Sequence, residues 1–443
     1  MLNPRVTTAF VALLAVMVTG AGCSDAGSEP AAKQDNKAPL EIWTRRTPGS
    51  DQEVTSKRLT DAFTKKTGIP TKLVAVFDGF ETKLQQRASQ KDLPDIVIND
   101  TAQVGTLVDQ GLVREVKKDD IEGGGDISDR AWGAAKAIDG KYYGVPSSAH
   151  AFALFIRKDW RAKVGLPEPK TWDELAALAK AFTEKDPDGN GKKDTAGFII
   201  PDATERGYAS WSWSSYLYQA GGDYFETADG KFKTTVNSDE AVTATTWYQD
   251  QFCKNKSVMP GSVTANTNTS HQYWEAGKAG IYLTGPYVMG RFDKSPVGGK
   301  FEVVPAPPGP SGADVLAEGE NVYLMAGSEN ETGQEQFAAF AASVEGQEIG
   351  MDGDKAGPIV RLPVNTKVTI SDTRKDARWA IFQKVYDDNG IYSPVVKNWT
   401  PFRQMSADTI NALTADCSAD PKKSLDDLAT KFDAELEKQG IKA

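Results

Sequence analysis

The chain is 443 residues long, carries a net charge of −10 at pH 7, and is 40% hydrophobic and 9% aromatic with three cysteines. That length allows about two to four domains, and the composition excludes wholesale disorder. The acidic balance argues against nucleic acid or an anionic lipid surface as the main partner and is compatible with neutral or cationic ligands.

At the start, Arg5, the apolar run Ala9 to Val18 and the small residues before Cys23 predict a secretory signal peptide over residues 1–22. The apolar run is shorter than the roughly 20 residues a membrane span requires. Ala21-Gly22-Cys23 resembles a bacterial lipobox, which implies a diacylated Cys23 at the mature N-terminus. Gly20 stands where that motif prefers an aliphatic residue, and ordinary cleavage leaving a free Cys23 is the alternative. Residues 24–39 contain no large apolar side chain, so 23–39 reads as a flexible tether. Two acyl chains anchor a protein stably on a membrane without spanning it. The expected location is therefore extracytoplasmic, lipid-anchored to the outer face of the cell membrane.

The globular part opens with the apolar strand Leu40-Glu-Ile-Trp43. Helical spacing follows from Ser50 to Lys66, and Gly68 is placed to cap it. Thr71 to Phe77 reads as a strand, Phe80 to Ser89 as a helix, and Asp95 to Asn99 as a buried strand. Alternating strands and helices imply a parallel sheet with helices on its faces. Ligands bind such sheets beyond the carboxyl ends of the strands, where Trp43, Arg45, Arg46 and Asp100 fall. Ala151 to Ile156 is a continuous strand-like run that leaves this lobe for another. Thr171-Trp-Asp-Glu174 is a capping box opening a helix to about Glu184.

Asp186-Pro-Asp-Gly-Asn-Gly-Lys-Lys-Asp194 places oxygens of Asp186, Asp188, Asn190 and Asp194, with the Lys192 carbonyl, in the order of an EF-hand loop. Such hard ligands suit a structural Ca²⁺. Gly197 stands where the bidentate glutamate belongs, and a plain turn without metal is the alternative. Segments 210–220 and 240–252 read as helices, the first carrying Trp211, Trp213, Tyr216 and Tyr218. Ile281 to Thr284 and Phe301 to Val304 return to strands, Gln334 to Ser343 is helical, and helices dominate from Gly346 onward. The expected fold is α/β and two-lobed: 40–150 plus 281–345 form the first lobe, and 151–280 plus 346–443 form a helix-rich second lobe. If Cys23 carries lipid, Cys253 and Cys417 are left to form a disulfide. With two histidines and no CxxC spacing, a zinc site is not expected.

Four patterns combine in order: Leu-Glu-Ile-Trp43, Leu93-Pro-Asp-Ile96 with Asn99-Asp100, Gly140-Lys-Tyr-Tyr-Gly-Val-Pro146, and Trp274-Glu-Ala-Gly-Lys-Ala-Gly280 leading into Gly285-Pro-Tyr287. Over roughly residues 40 to 438 the chain resembles the family 1 extracellular solute-binding proteins of carbohydrate ABC transporters, which are maltose-binding-protein-like. The resemblance implies a periplasmic-binding-protein-like fold, a ligand cleft between the lobes, hinge closure and delivery to permease subunits. It implies ligand-binding roles for Trp43, Arg45, Asp100, Trp211, Trp213, Tyr287, Glu320, Asn321, Arg361 and Trp399. The loop at 186–194 resembles a shortened calcium loop of some oligosaccharide-binding members. A sugar site needs flat rings for stacking and planar polar groups for paired hydrogen bonds. Asp100 and the Trp211/Trp213 pair are expected to hold one neutral sugar from opposite lobes, in a monomer. His150 lies near a family cleft position, whereas His271 reads as surface or loop. The alternative is a secreted carbohydrate-active or other enzyme on the same fold, although no Ser-His-Asp order or Gly-x-Ser-x-Gly elbow appears.

Overall fold

The computed structural model describes residues 34–352 and 357–443. Cys23, the signal peptide and most of the tether lie outside the described residues.

The first sheet is built where β-branched and aliphatic runs alternate with capped helices. Its strand Leu40–Thr44 lies between Thr71–Ala75 and Ile96–Asp100, parallel to both. The helix Asp51–Thr67 starts at Ser50, whose side chain accepts the amide of Glu53, and stops at Gly68, which adopts the left-handed conformation at φ 78°. The ten-residue strand Val315–Leu324 joins the sheet antiparallel to Ile96–Asp100 on one side and to Val145–Ala151 on the other. At its start it also pairs in parallel with the short strand Gly390–Ile391.

The second sheet has the order Phe301–Val304, Ala153–Arg157, Ala279–Thr284, Ala196–Ile199. This corrects the expected boundaries, because residues 281–284 and 301–304 both pair with Ala153–Arg157, which puts the stretch 281–304 in the second lobe. The return to the first lobe comes only with Val315–Leu324. The helix Val344–Met351 packs on Asp51–Thr67, and Leu362 bridges to Ala149, so the first lobe also extends past residue 345. A strand run announces that a sheet exists; which sheet it joins depends on long-range pairing that short runs do not encode.

The chain passes between lobes at Phe152, between Val304 and Val315, and between the segment around Leu362 and the helix Arg378–Asn389. Helices Tyr208–Gln219, Asp239–Cys253, Thr400–Ala415 and Pro421–Gln439 pack together as the helix-rich part of the second lobe. Cys253 and Cys417 form a disulfide there, with Cα atoms 5.4 Å apart. At the helix Trp172–Glu184 the capping box is shifted by one residue. Thr171 accepts the Glu174 amide at 3.2 Å, while the Glu174 carboxylate accepts the amide of Lys170 instead of Thr171.

Candidate functional site

A cavity of about 610 Å³ opens between the lobes, within the roughly 300–1,000 Å³ of small-molecule sites. The first lobe contributes Arg45, Arg46, Phe77, Asp100, Glu320 and Arg361; the second contributes Trp211, His271, Tyr287 and Lys294. His150 and Glu318, on the two strands that approach the crossing, form its floor.

Strand geometry explains these positions. Asp100 is the last residue of its strand, and Glu320 is directly opposite it in the antiparallel ladder, so their side chains share a face. Two carboxylates placed so would repel, and each is held by guanidinium groups. Glu320 is gripped by Arg46, and Arg361 lies 2.8 Å away. Asp100 receives Arg206 at 2.7 Å and Arg45 at 3.7 Å. Burial pushes both carboxyls up, but the flanking arginines outweigh it and hold both well below the usual carboxylate range. Burial, helped by Arg361, drives the His150 pKa down to about 3, so that ring is neutral.

Of the expected contacts, Arg45, Asp100, Trp211, Tyr287, Glu320 and Arg361 line the cavity. Four do not. Trp43 alternates with Ile42 and points to the opposite face of its strand, against Phe80, with its Nε1–H donating to Glu41 at 2.7 Å. Trp213 is 0% exposed, edge-on to Tyr224, and donates to Thr245 at 3.0 Å; it is core. Asn321 follows Glu320 and therefore faces away, donating to the Ala134 carbonyl at 3.2 Å. Trp399 stacks on Phe402 and meets Tyr224 edge-on inside the second lobe.

The residue expected to face a sugar directly, Asp100, is instead joined to the opposite lobe by Arg206, which also donates to Glu81 at 2.8 Å and 3.1 Å. Arg206 adopts a left-handed backbone at φ 54°, and Gly207 beside it has φ 80°. A Cβ at Gly207 would come within 2.5 Å of the Arg403 side chain, so glycine is what lets these two arginines approach. Both guanidinium groups lie over Trp211, at 5.5 Å for Arg206 and 5.8 Å for Arg403.

Arg206, Arg403, Glu318 and His271 were not foreseen as site residues. His271, expected at the surface or in a loop, lies on the helix Thr267–Glu275 facing the cavity. Glu318 was recoverable from the two-residue spacing with Glu320 along one strand. Nothing local marks Arg206 or Arg403.

The Asp186–Asp194 loop closes on itself. Asp186 accepts the amides of Gly189, Asn190 and Gly191, and the Asn190 side-chain amide donates to Asp188 and Asp194, each at 2.9 Å. Crowding shows in Asp188, whose pKa is raised by partial burial and by the neighbouring Asp186. Among the described residues no three acidic, histidine or cysteine side chains already converge as a metal cage.

Residues 49–348 match the profile of a family described as bacterial extracellular solute-binding protein. A polygalacturonan/rhamnogalacturonan-binding protein, YtcQ, of Bacillus subtilis is 33% identical over 150 residues, 33% of this chain and 29% of that one. The fructooligosaccharide ABC transporter substrate-binding protein FusA of Streptococcus pneumoniae is 26% identical over 313 residues, 63% of this chain and 55% of that one. The chain thus spans less than two thirds of the length of these curated relatives. The GacH receptor of Streptomyces glaucescens, solved unliganded and with acarbose, superposes with a TM-score of 0.79 at 19% identity, covering 91% of this chain and 99% of that one. That likeness gives the two-lobed periplasmic-binding-protein fold.

Proposed function

The chain belongs to the bacterial extracellular solute-binding proteins, and from that premise we propose that it captures a sugar or short oligosaccharide and delivers it to an ABC importer. One observation carries the reading. A cavity walled by both lobes presents the Trp211 and Phe77 rings beside planar guanidinium and carboxylate groups, the pairing that saccharide rings and hydroxyls require. A ligand touching both walls binds the closed form better than the open one, and that difference drives closure. The names of the YtcQ and FusA relatives support a saccharide as the ligand.

Binding accounts for this cleft better than catalysis does. Glycoside hydrolysis needs two carboxyl groups free to act as acid and as base or nucleophile. Asp100 and Glu320 are committed to arginines and Asp51 is paired with Lys294, which among the described residues of the wall leaves Glu318 without a second unpaired carboxylate. A thermal-shift screen across mono-, di- and oligosaccharides tests the reading. Ligand at about 100 times its Kd should stabilise the protein by roughly 2.7 kcal/mol. No stabilisation by any saccharide overturns it.

Lipidation at Cys23 would hold the receptor at the outer membrane face beside its permease. Mass spectrometry of the mature N-terminus should find a diacylated cysteine, and an unmodified terminus elsewhere overturns the anchor. A structural Ca²⁺ at Asp186, Asp188, Asn190, the Lys192 carbonyl and Asp194 is supported by the donor set and by the crowding of its carboxylates. A bound cation would relieve that repulsion and stiffen the loop. Calcium should raise the melting temperature of the wild type but not of Asp188→Ala, and equal stability in calcium and in chelator overturns the site.

A further inference from the structure

Among the described residues, the cleft and the clusters beside it hold more buried positive charge than their carboxylates neutralise. Around Asp100, the guanidinium groups of Arg45, Arg206 and Arg403 meet two held carboxylates, Asp100 and Glu81. Around Glu320, two guanidinium groups, Arg46 and Arg361, share one carboxylate. The other charges on the cavity wall compensate one another, Lys294 with Asp51 and Arg291 with Glu275.

The surplus is concentrated. Arg403 is 3% exposed and, among the described residues, its guanidinium makes no hydrogen bond or ion pair. Among the described residues Arg45 has one ion-pair partner, Asp100 at 3.7 Å; it lies over the Phe77 ring at 4.9 Å and has a buried, unpartnered Nε. Glu318 is 4% exposed and lines the cavity, and its carboxyl likewise has no protein partner among the described residues. Burial, reinforced by Asp100, pushes the Glu318 pKa up to about 8, which leaves it largely neutral at pH 7. Burial lowers the Arg403 pKa to about 10, so it stays charged there. Even an ionised Glu318 would leave a positive excess.

We propose that the ligand of this cleft is a saccharide bearing an acidic group, a uronate carboxylate or a sulfate ester, seated beside Trp211 against Arg45, with the buried charge of Arg403 next to the Trp211 ring adding to the attraction. The proposal rests on the reading of the cleft as a saccharide site and names the chemistry of its ligand. An unpaired guanidinium removed from water is among the costliest arrangements a protein can hold. An incoming anion supplies both the missing charge and planar acceptors, whereas a neutral hydroxyl supplies acceptors alone. A protonated Glu318 can donate to the same anion without repelling it. The overall acidity of the chain does not bear on this, because exposed charges beyond about 10 Å are largely screened.

The experiment is calorimetry at pH 7 with matched probes: digalacturonate against its methyl ester, and a sulfated galactose disaccharide against its unsulfated parent. At least one acidic member should bind about ten- to hundredfold tighter than its neutral counterpart, and which pair shows the gap identifies the acidic group. Arg45→Gln and Arg403→Gln should each narrow that gap, with melting temperatures checking the fold. If neutral saccharides bind as tightly as acidic ones, or more tightly, this inference falls while the saccharide reading stands. If no saccharide of either kind binds, both fall.

Discussion

Two tryptophans two residues apart on one helix have opposite assignments, and mutation separates them. Trp211 is 8% exposed and lines the cleft, whereas Trp213 is fully enclosed by Tyr224 and Thr245. Trp213→Ala should cost about 3–5 kcal/mol of stability, as large core aromatics do, read by chemical denaturation. Trp211→Ala should weaken saccharide binding about tenfold or more while removing less stability, read by calorimetry on folded protein. Glu318 carries a pH signature. Its folded pKa of about 8 lies above the ordinary 4.5, so the folded state holds the proton where the unfolded chain has released it. Stability from this group is therefore present at low pH and falls as pH rises between those two values. Asp202, which burial pushes up to about 7, gives a slope of the same sign. The difference between wild type and Glu318→Gln isolates the Glu318 part. The variant should lose less melting temperature than wild type between pH 5 and pH 8, and equal losses would contradict the assignment.

Among the elements, the helix Thr400–Ala415 bears most directly on the site. It carries Arg403, packs on the helix that holds Trp211, and is followed by Cys417 in the disulfide to Cys253. The two cysteines are 164 residues apart. Closing a loop of that order contributes about 4–5 kcal/mol in the chain-entropy model. A Cys253→Ser/Cys417→Ser double variant should therefore unfold at a clearly lower denaturant midpoint. Reductant should lower the wild-type midpoint and leave the variant unmoved. The long strand Val315–Leu324 is the other decisive element. It lies between two first-lobe strands and places Glu318 and Glu320 on the cavity face.

For the whole molecule, closure is written in ion pairs that cross the cleft. Arg206 of the second lobe binds Asp100 and Glu81 of the first, and Lys294 reaches Asp51 at 3.1 Å on the opposite rim. The Lys294 pair is exposed and contributes little. The Arg206 cluster is buried, so removing its cation strands Asp100 against the lowered dielectric. Arg206→Ala should shift the ligand-free protein toward an open form, with a larger radius of gyration by small-angle scattering and weaker saccharide binding. An unchanged radius and affinity would show that Arg206 does not hold the lobes together. The left-handed backbone at Arg206 costs on the order of 1–3 kcal/mol, and the two carboxylates it reaches offset that cost only while the lobes are together.

Element identity was legible in the chain because it is a local property. Hydrophobic period, Ser50 and Thr171 as N-caps and Gly68 as a left-handed stop each act within a few residues. The Cys253–Cys417 pair was legible by arithmetic, since few partners existed. The family patterns placed Arg45, Asp100, Tyr287 and Arg361, which line the cleft. What tertiary structure alone decided is everything set by pairing across distance. Residues 281–284 and 301–304 joined the second sheet because their ladder partners are in Ala153–Arg157. Trp43, Trp213 and Asn321 turned away because a one-residue step on a strand, or a two-residue step on a helix, reverses which side is buried, and Trp399, at the start of its helix, is held inside the second lobe by Phe402 and Tyr224. Arg206 and Arg403 come from distant segments that meet within the second lobe, and they face Asp100 and Glu318 only when both lobes are folded together. Their charge excess is a property of that meeting, since a buried charge acquires its cost and its ligand preference from the neighbours that replace water around it.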